Sequence, residues 1–188
     1  MRIVNVDNNI IKELRKCDIS TKMRSLESCE WVVLEEIDGI IIGAAGLGGL
    51  FHVSGIQISE IHAGKGIGKR LQNELINESK RRGYSFILVF NDPRNIHSER
   101  LHNSLGYERI FRIHYSKEIV NDVKTIVFKK RGQVIINFLK IFNSKTGMLF
   151  LGVILKTLKD WFPSLIIYNE KDIPTPDIRW MLKKFEKI

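Results

Sequence analysis

The chain has 188 residues, of which 44% are apolar and 27% charged, enough for a folded core and too apolar for a disordered segment. Its formal net charge of +9 is spread along the chain, so it speaks as much for solubility as for a polyanionic ligand, a nucleotide cofactor before nucleic acid or a membrane surface. Cys17 and Cys29 have no CxxC spacing and no histidine cluster, which excludes a disulfide framework, leaves no metal site expected and fits a reducing cytoplasm.

The opening residues alternate as a short strand over 2–6, with Asn8 or Asn9 as the cap of a following helix, and lack the basic-then-apolar order of a signal peptide. Two β-rich runs, 31–36 and 40–45, flank Asp38 and Gly39, a pair that predicts a tight hairpin because its turn needs positive φ. A further strand is expected over 51–58. After Gly66 the apolar spacing of Leu71, Leu75 and Ile76 predicts a helix that closes on Lys80, Arg81 and Arg82, with Gly83 just beyond its end. A buried strand over 86–90, a short helix over 96–105 ended by Gly106, and strands over 108–115 and 123–129 follow. This order predicts a mixed α/β sheet flanked by helices.

A basic cluster at 129–131 reads as a boundary, which divides the chain into residues 1–131 and a mainly helical C-terminal extension, 132–188. Helices are expected over 134–142 and 148–161, with a loop over 143–147. A last helix would take Thr175 as its N-cap and Pro176 as its first residue, and carry Ile178, Met181, Leu182, Phe185 and Ile188 on one face. Neither apolar stretch reaches about 18 residues, so no membrane span is expected. The apolar faces imply packing on the sheet or on a second subunit, which would make a homodimer.

The informative segment is 58–71, in which a strand runs into glycines at 64, 66 and 68 and then an amphipathic helix. Glycines let backbone N–H groups come close to a phosphate, and the open N–H groups at a helix start favour its charge. Two other phosphate loops fail on spacing. A Walker A loop would need glycine at 63 and a hydroxyl residue at 70, where Ala63 and Arg70 stand. The dinucleotide fingerprint would need a third glycine at 69 or 71, and these are Lys69 and Leu71.

This segment resembles the acetyl-CoA pyrophosphate loop of the GNAT superfamily, whose usual form is Gln/Arg-x-x-Gly-x-Gly/Ala. Asn95, Ser98, His102, Gly106 and Tyr107 are similar to a second element of that family, Asn-x-x-Ala-x-x-x-Tyr-x-x-x-Gly-Phe, at its proper distance. The resemblance covers residues 1–131 and implies a GNAT-like, mostly antiparallel sheet. It implies acetyl-CoA as co-substrate, an amine acceptor and direct attack of the amine on the thioester. Ile58, Ala63, Gly64, Lys65, Gly66, Ile67, Gly68 and Lys69 would hold the cofactor from strand and loop, with Arg70 as further charge. Asn91, Asn95 and Ser98 would hold it from the other side. Two residues depart from the pattern: Ala63 removes the loop's usual Gln or Arg, and His102 stands where tyrosine is common.

The chemistry needs an unprotonated amine, a polarised carbonyl and a proton for the departing thiolate. Backbone N–H near Ile58 would polarise the carbonyl. His52 is the candidate base, because it lies six residues before Ile58 and strand alternation puts both on one face; an imidazole also titrates near neutral pH. His102 is the candidate acid toward the sulfur, and Glu60 and His62 read as surface residues. Trp161, Phe162 and Trp180 are candidates for an acceptor site. The rival functions are a non-catalytic acyl-CoA-binding module and an acetyltransferase acting on aminoacyl-tRNA, for which no aromatic-basic RNA motif is visible.

Overall fold

The protein is described by a computed structural model over residues 1–17, 19, 24–27, 29–48, 53–114, 120–141, 144, 166–168 and 174–176. Alternation builds β1, Arg2–Asn5, and Asp7 then turns the chain into α1, Asn8–Arg15. Asp7 is the cap, not Asn8 or Asn9: its Oδ1 accepts the N–H of Asn9 at 2.9 Å and of Ile10 at 2.8 Å. A carboxylate does this better than an amide, since the helix dipole adds to the hydrogen bonds. After the four-residue α2, Arg24–Glu27, come β2, Trp31–Ile37, and β3, Ile40–Gly48. Asp38 and Gly39 join them with φ of 51° and 77°, the left-handed turn their sequence demands.

The chain continues through β4, Val53–Ile58, a 3₁₀ turn over Glu60–His62 and α3, Ile67–Arg81. Then follow β5, Phe86–Asn91, α4, Ile96–Ser104, β6, Glu108–His114, β7, Val120–Val127, and α5, Lys130–Lys140. Strands β1 to β7 form a seven-stranded sheet in the order β1-β2-β3-β4-β5-β7-β6, and β4–β5 is its parallel pair. The expected mixed, mostly antiparallel sheet with flanking helices is what forms.

Period-two alternation sorts the core into two layers. Trp31 and Val33 of β2 face α3, where they pack with Ile67, Leu71, Leu75 and Ile87. Val32 and Leu34 face the other way, against Ile10 and Leu14 of α1. Further along that second face, Ile136 of α5 fills a cluster with Phe86, Leu88, Ile110 and Val123.

The boundary read at 131/132 falls in the first turn of α5, and that helix is seated firmly. The N–H groups of Phe128 and Lys129 both reach the Ser85 carbonyl, at 2.9 and 3.2 Å. A Cβ built on Gly132 would lie 2.3 Å from the same oxygen. Alanine is about 1 kcal/mol better than glycine in an open helix. Here the backbone clash should outweigh that gain, so Gly132→Ala is expected to destabilise by about 1–3 kcal/mol. A melting temperature equal to or above wild type in a thermal scan would show that the helix docks less tightly.

The C-terminal start of a helix at Thr175 is corrected. Pro174–Pro176 forms β9, which pairs antiparallel with β8, Ile166–Tyr168, through Ile167↔Thr175. A residue that precedes proline is pushed out of the helical region, and Thr175 precedes Pro176. His52, Trp161, Phe162 and Trp180, the helix expected over 148–161 and the face from Ile178 to Ile188 lie outside the described residues. Among the described residues, no helix is long and apolar enough to cross a membrane.

Candidate functional site

The site begins where two central strands part. Among the described residues, the β4–β5 register holds two pairs, Val53↔Leu88 and Ser54↔Val89, and stops there. Yet β4 runs on to Ile58 and β5 to Asn91. On its other side β4 stays paired with β3 as far as Gly43↔Ile58, and the Ser59 N–H reaches the Ile42 carbonyl at 2.9 Å. Successive N–H groups of a strand point to opposite sides. Ile58 therefore aims its N–H away from β3, into the gap between β4 and β5.

The glycine loop follows at once. Ser59 is buried, the 3₁₀ turn closes with the Ala63 N–H on the Glu60 carbonyl at 3.1 Å, and residues 63–66 are exposed. Gly64 and Gly66 have φ of 76° and 75°, so both need the left-handed freedom of glycine. Gly66 is the N-cap of α3, and no side chain caps that end. The first intrahelical bond runs from the Arg70 N–H to the Gly66 carbonyl at 3.2 Å, so the N–H groups of the first turn have no partner within the helix. Gly68 serves packing: a Cβ there would meet Ile58 Cδ1 at 3.0 Å. That close approach sets the helix start against the end of β4, and an anion at this point would meet backbone donors and the helix dipole.

Charge around the loop is divided. Lys65 and Lys69 are exposed beside it. Arg70 is turned back: its guanidinium pairs with Glu35 and donates through Nη1 to the Lys65 carbonyl at 3.2 Å. Its job in the structure is to brace the loop from β2. Glu60 is exposed and His62 half-buried.

The other wall is α4. Asn95 caps it, its Oδ1 accepting the Ser98 N–H at 3.1 Å. Asn91, the last residue of β5, is buried and donates Nδ2 to Glu99 Oε2 at 2.7 Å. Asp92, the next residue, makes an Asx turn: its Oδ1 accepts the Arg94 N–H at 2.9 Å, and Arg94 pushes its carboxyl down to about 2.

His102 is 4% exposed, not the partly exposed helix histidine that its position suggests. Its Nδ1 lies 3.4 Å from Ser98 Oγ, and its ring meets Tyr107 edge-on at 5.2 Å. Tyr107 is buried, donates its hydroxyl to Gln72 Oε1 at 3.3 Å, and has its pKa pushed up by burial. Ser54 lies close enough to temper that shift, yet its buried Oγ completes no well-formed hydrogen bond.

Burial first, and then the Lys124 charge, lower His102 to about 4, with Glu99 opposing. In the unfolded chain the ring titrates near 6.5, so between these values the unfolded state binds the extra proton. Stability from this group is complete above pH 6.5 and falls by about 3 kcal/mol as pH drops toward 4. Urea melts of wild type and His102→Gln at pH 7 and 4.5 should differ in slope over this window. Equal slopes would contradict a buried, neutral His102.

Ile58 thus lies against the start of α3, next to the exposed residues 63–66, while Asn91, Asn95 and Ser98 are tied into α4 and its footing. Reading the sequence missed the buried Lys124 beneath α4, whose one trace is a lysine inside a β-rich run. It also missed Glu35, the brace for Arg70. Among the described residues, no three metal-binding side chains converge.

The chain matches the Acetyltransferase (GNAT) family over residues 8–107, from α1 to the end of the α4 segment. L-methionine sulfoximine/L-methionine sulfone acetyltransferase of Salmonella typhimurium is 31% identical over 84 residues, 40% of this chain and 49% of that protein. The chain thus spans about half the length of this relative. Phosphinothricin acetyltransferase of Sinorhizobium meliloti, solved in complex with AcCoA, has a TM-score of 0.53 at 18% identity, over 69% of this chain and 89% of that one. Ribosomal-protein-alanine N-acetyltransferase of Brucella melitensis has a TM-score of 0.55 at 16% identity, over 68% of this chain and 100% of that one. Such identities speak for the fold alone, but the family match spans more than half of the chain. The chain belongs to the GNAT family of acetyltransferases.

Proposed function

We propose that the protein transfers an acetyl group from acetyl-CoA to a primary amine by direct attack. The observation that carries this reading is the join of a strand gap to an uncapped helix start through Gly64 and Gly66. The pyrophosphate would sit on the N–H groups of 64–68, with Lys65 and Lys69 beside it. Ala63 offers no side-chain hydrogen bond, and the backbone donors supply the binding in its place. Bound there, acetyl-CoA would extend its pantetheine arm into the gap, where the Ile58 N–H stabilises the developing oxyanion.

His52 would accept the amine proton, on the strength of its sequence spacing to Ile58. His102 would donate an N–H to the departing thiolate, a role open to a neutral imidazole. Asn91, Asn95 and Ser98 would act by setting α4 against the arm. The amino-acid-like acceptors named for the Salmonella and Sinorhizobium proteins make a free α-amino group the first acceptor class to test, with peptide N-termini second. Acetyl-CoA as co-substrate and two cysteines that form no disulfide, Cys17 and Cys29, fit a cytoplasmic setting.

The test is release of CoA thiol from acetyl-CoA against a panel of amino acids and their analogues, peptides and charged tRNA. Turnover with at least one amine and a matching acetylated product is expected. Tight binding of acetyl-CoA with no turnover across the panel would favour an acyl-CoA-binding module instead.

A further inference from the structure

Helix α4 stands on an unusual footing. A helix on a sheet buries apolar side chains, yet the buried residue within α4 is His102, and beneath it lie Asn91, Asp122 and Lys124. Lys124 projects from β7, where it stands across from Val89 of β5 and Arg109 of β6, and its side chain is 3% exposed. Its Nζ donates to Glu99 Oε1 at 2.6 Å and to Asn103 Oδ1 at 2.9 Å. Glu99 is gripped a second time, by Asn91 from β5. Two strands therefore hold one turn of α4 on each side of His102, at 99 and 103.

Stability alone is a poor reason for such a lysine. A buried ion pair costs desolvation on both partners, and apolar replacements are often as stable. We propose that Lys124 is a positioning residue for His102: through Glu99 and Asn103 it fastens the turn of α4 that carries the imidazole and sets the electrostatic field in which that ring meets the departing thiol. This rests on the proposed role of His102 at the sulfur.

The charges facing the ring can be assigned one by one. Lys124 from β7 opposes protonation and Glu99 from α4 itself favours it. Asp122 from β7 is held by Arg112 of β6 through hydrogen bonds of 2.6 and 2.9 Å, with Arg109 of β6 at 3.8 Å, and its charge also acts on Lys124 and Glu99. Tyr107 and Gln72 present neutral groups. Ser98 Oγ lies 3.4 Å from Nδ1, and a hydroxyl hydrogen directed there would leave the ring's proton on Nε2. With its pKa lowered to about 4, the imidazole stays a neutral N–H donor at neutral pH.

The test is an NMR titration of the His102 ring, identified as the signal lost in His102→Gln, in wild type and three variants. Lys124→Gln removes the opposing charge and leaves Glu99 unbalanced, so the ring pKa should rise by about one unit or more. Lys124→Arg should stay close to wild type. Glu99→Gln breaks the same clamp but leaves the lysine charge, so it should hold the pKa at or below wild type. An unchanged titration in Lys124→Gln would overturn the proposal. So would an equal rise in Lys124→Gln and Glu99→Gln, since mere loosening and hydration of α4 predicts that. If Lys124→Gln does not fold, the sign of the Glu99→Gln shift still decides, a rise overturning the proposal. In kinetics, Lys124→Gln should bring a new ionisation into the acid limb near pH 5–6, where wild type is flat with respect to His102. His102→Gln turning over at the wild-type rate would fail separately, by removing His102 from the chemistry whatever the ring titrations show.

Discussion

Gly66→Glu is expected to remove acetyl-CoA binding below detection in calorimetry while the protein stays folded. Gly66 sits at φ 75°, caps α3 and leaves its side-chain direction open, with Arg70 Nη1 3.7 Å from a Cβ as the nearest group. A small side chain would meet little steric resistance there, so backbone strain of about 1–3 kcal/mol is its main cost. A carboxylate adds like-charge repulsion at the point where the pyrophosphate would lie. Gly66→Ala separates the two effects: it carries the strain without the charge and should weaken binding by about tenfold to a hundredfold. Equal affinities in wild type and a folded Gly66→Glu protein would remove the loop from the cofactor site.

His52→Ala should lower kcat by about 10²–10⁴-fold while acetyl-CoA affinity stays near wild type, as for loss of a general base. In the proposed arrangement His52 serves the amine, and the phosphates are held elsewhere, by 63–69. The wild-type rate should rise through the titration of a group near neutral pH, and that limb should change in the variant. The acceptor's own ionisation can produce a similar limb, so an acceptor amine of lower pKa must be compared. His102, held near 4 by burial and Lys124, should contribute nothing to this limb. Full turnover and an unaltered pH profile in His52→Ala would assign the proton to another group or to solvent.

The parts of the fold that local chemistry dictates were legible in the sequence. The Asp38-Gly39 turn, the α3 stripe of Leu71, Leu75 and Ile76, and Gly83 beyond the helix end each follow from a few neighbouring residues, and Gly83 has the φ of 84° that its place requires. The shape of the glycine loop was legible for the same reason, since positive φ at 64 and 66 is written in glycine. Relations between distant segments were not. Nothing near Lys124 says that its partner is Glu99, 25 residues away, and nothing near Arg70 names Glu35 on β2. The burial of His102 follows from the tertiary seat of α4, while its helical spacing gave no hint of it. At the C-terminus, Thr175 before Pro176 matched a helix start, but a second proline at 174 makes the same residues read as an extended edge.

The most direct measurement is a crystal structure with acetyl-CoA bound. The account expects pyrophosphate oxygens at hydrogen-bond distance, about 2.7–3.2 Å, from backbone nitrogens of residues 64–68, and the thioester oxygen facing the Ile58 N–H. Acetyl-CoA lodged elsewhere, or a pantetheine arm that leaves the gap between β4 and β5 empty, would contradict it.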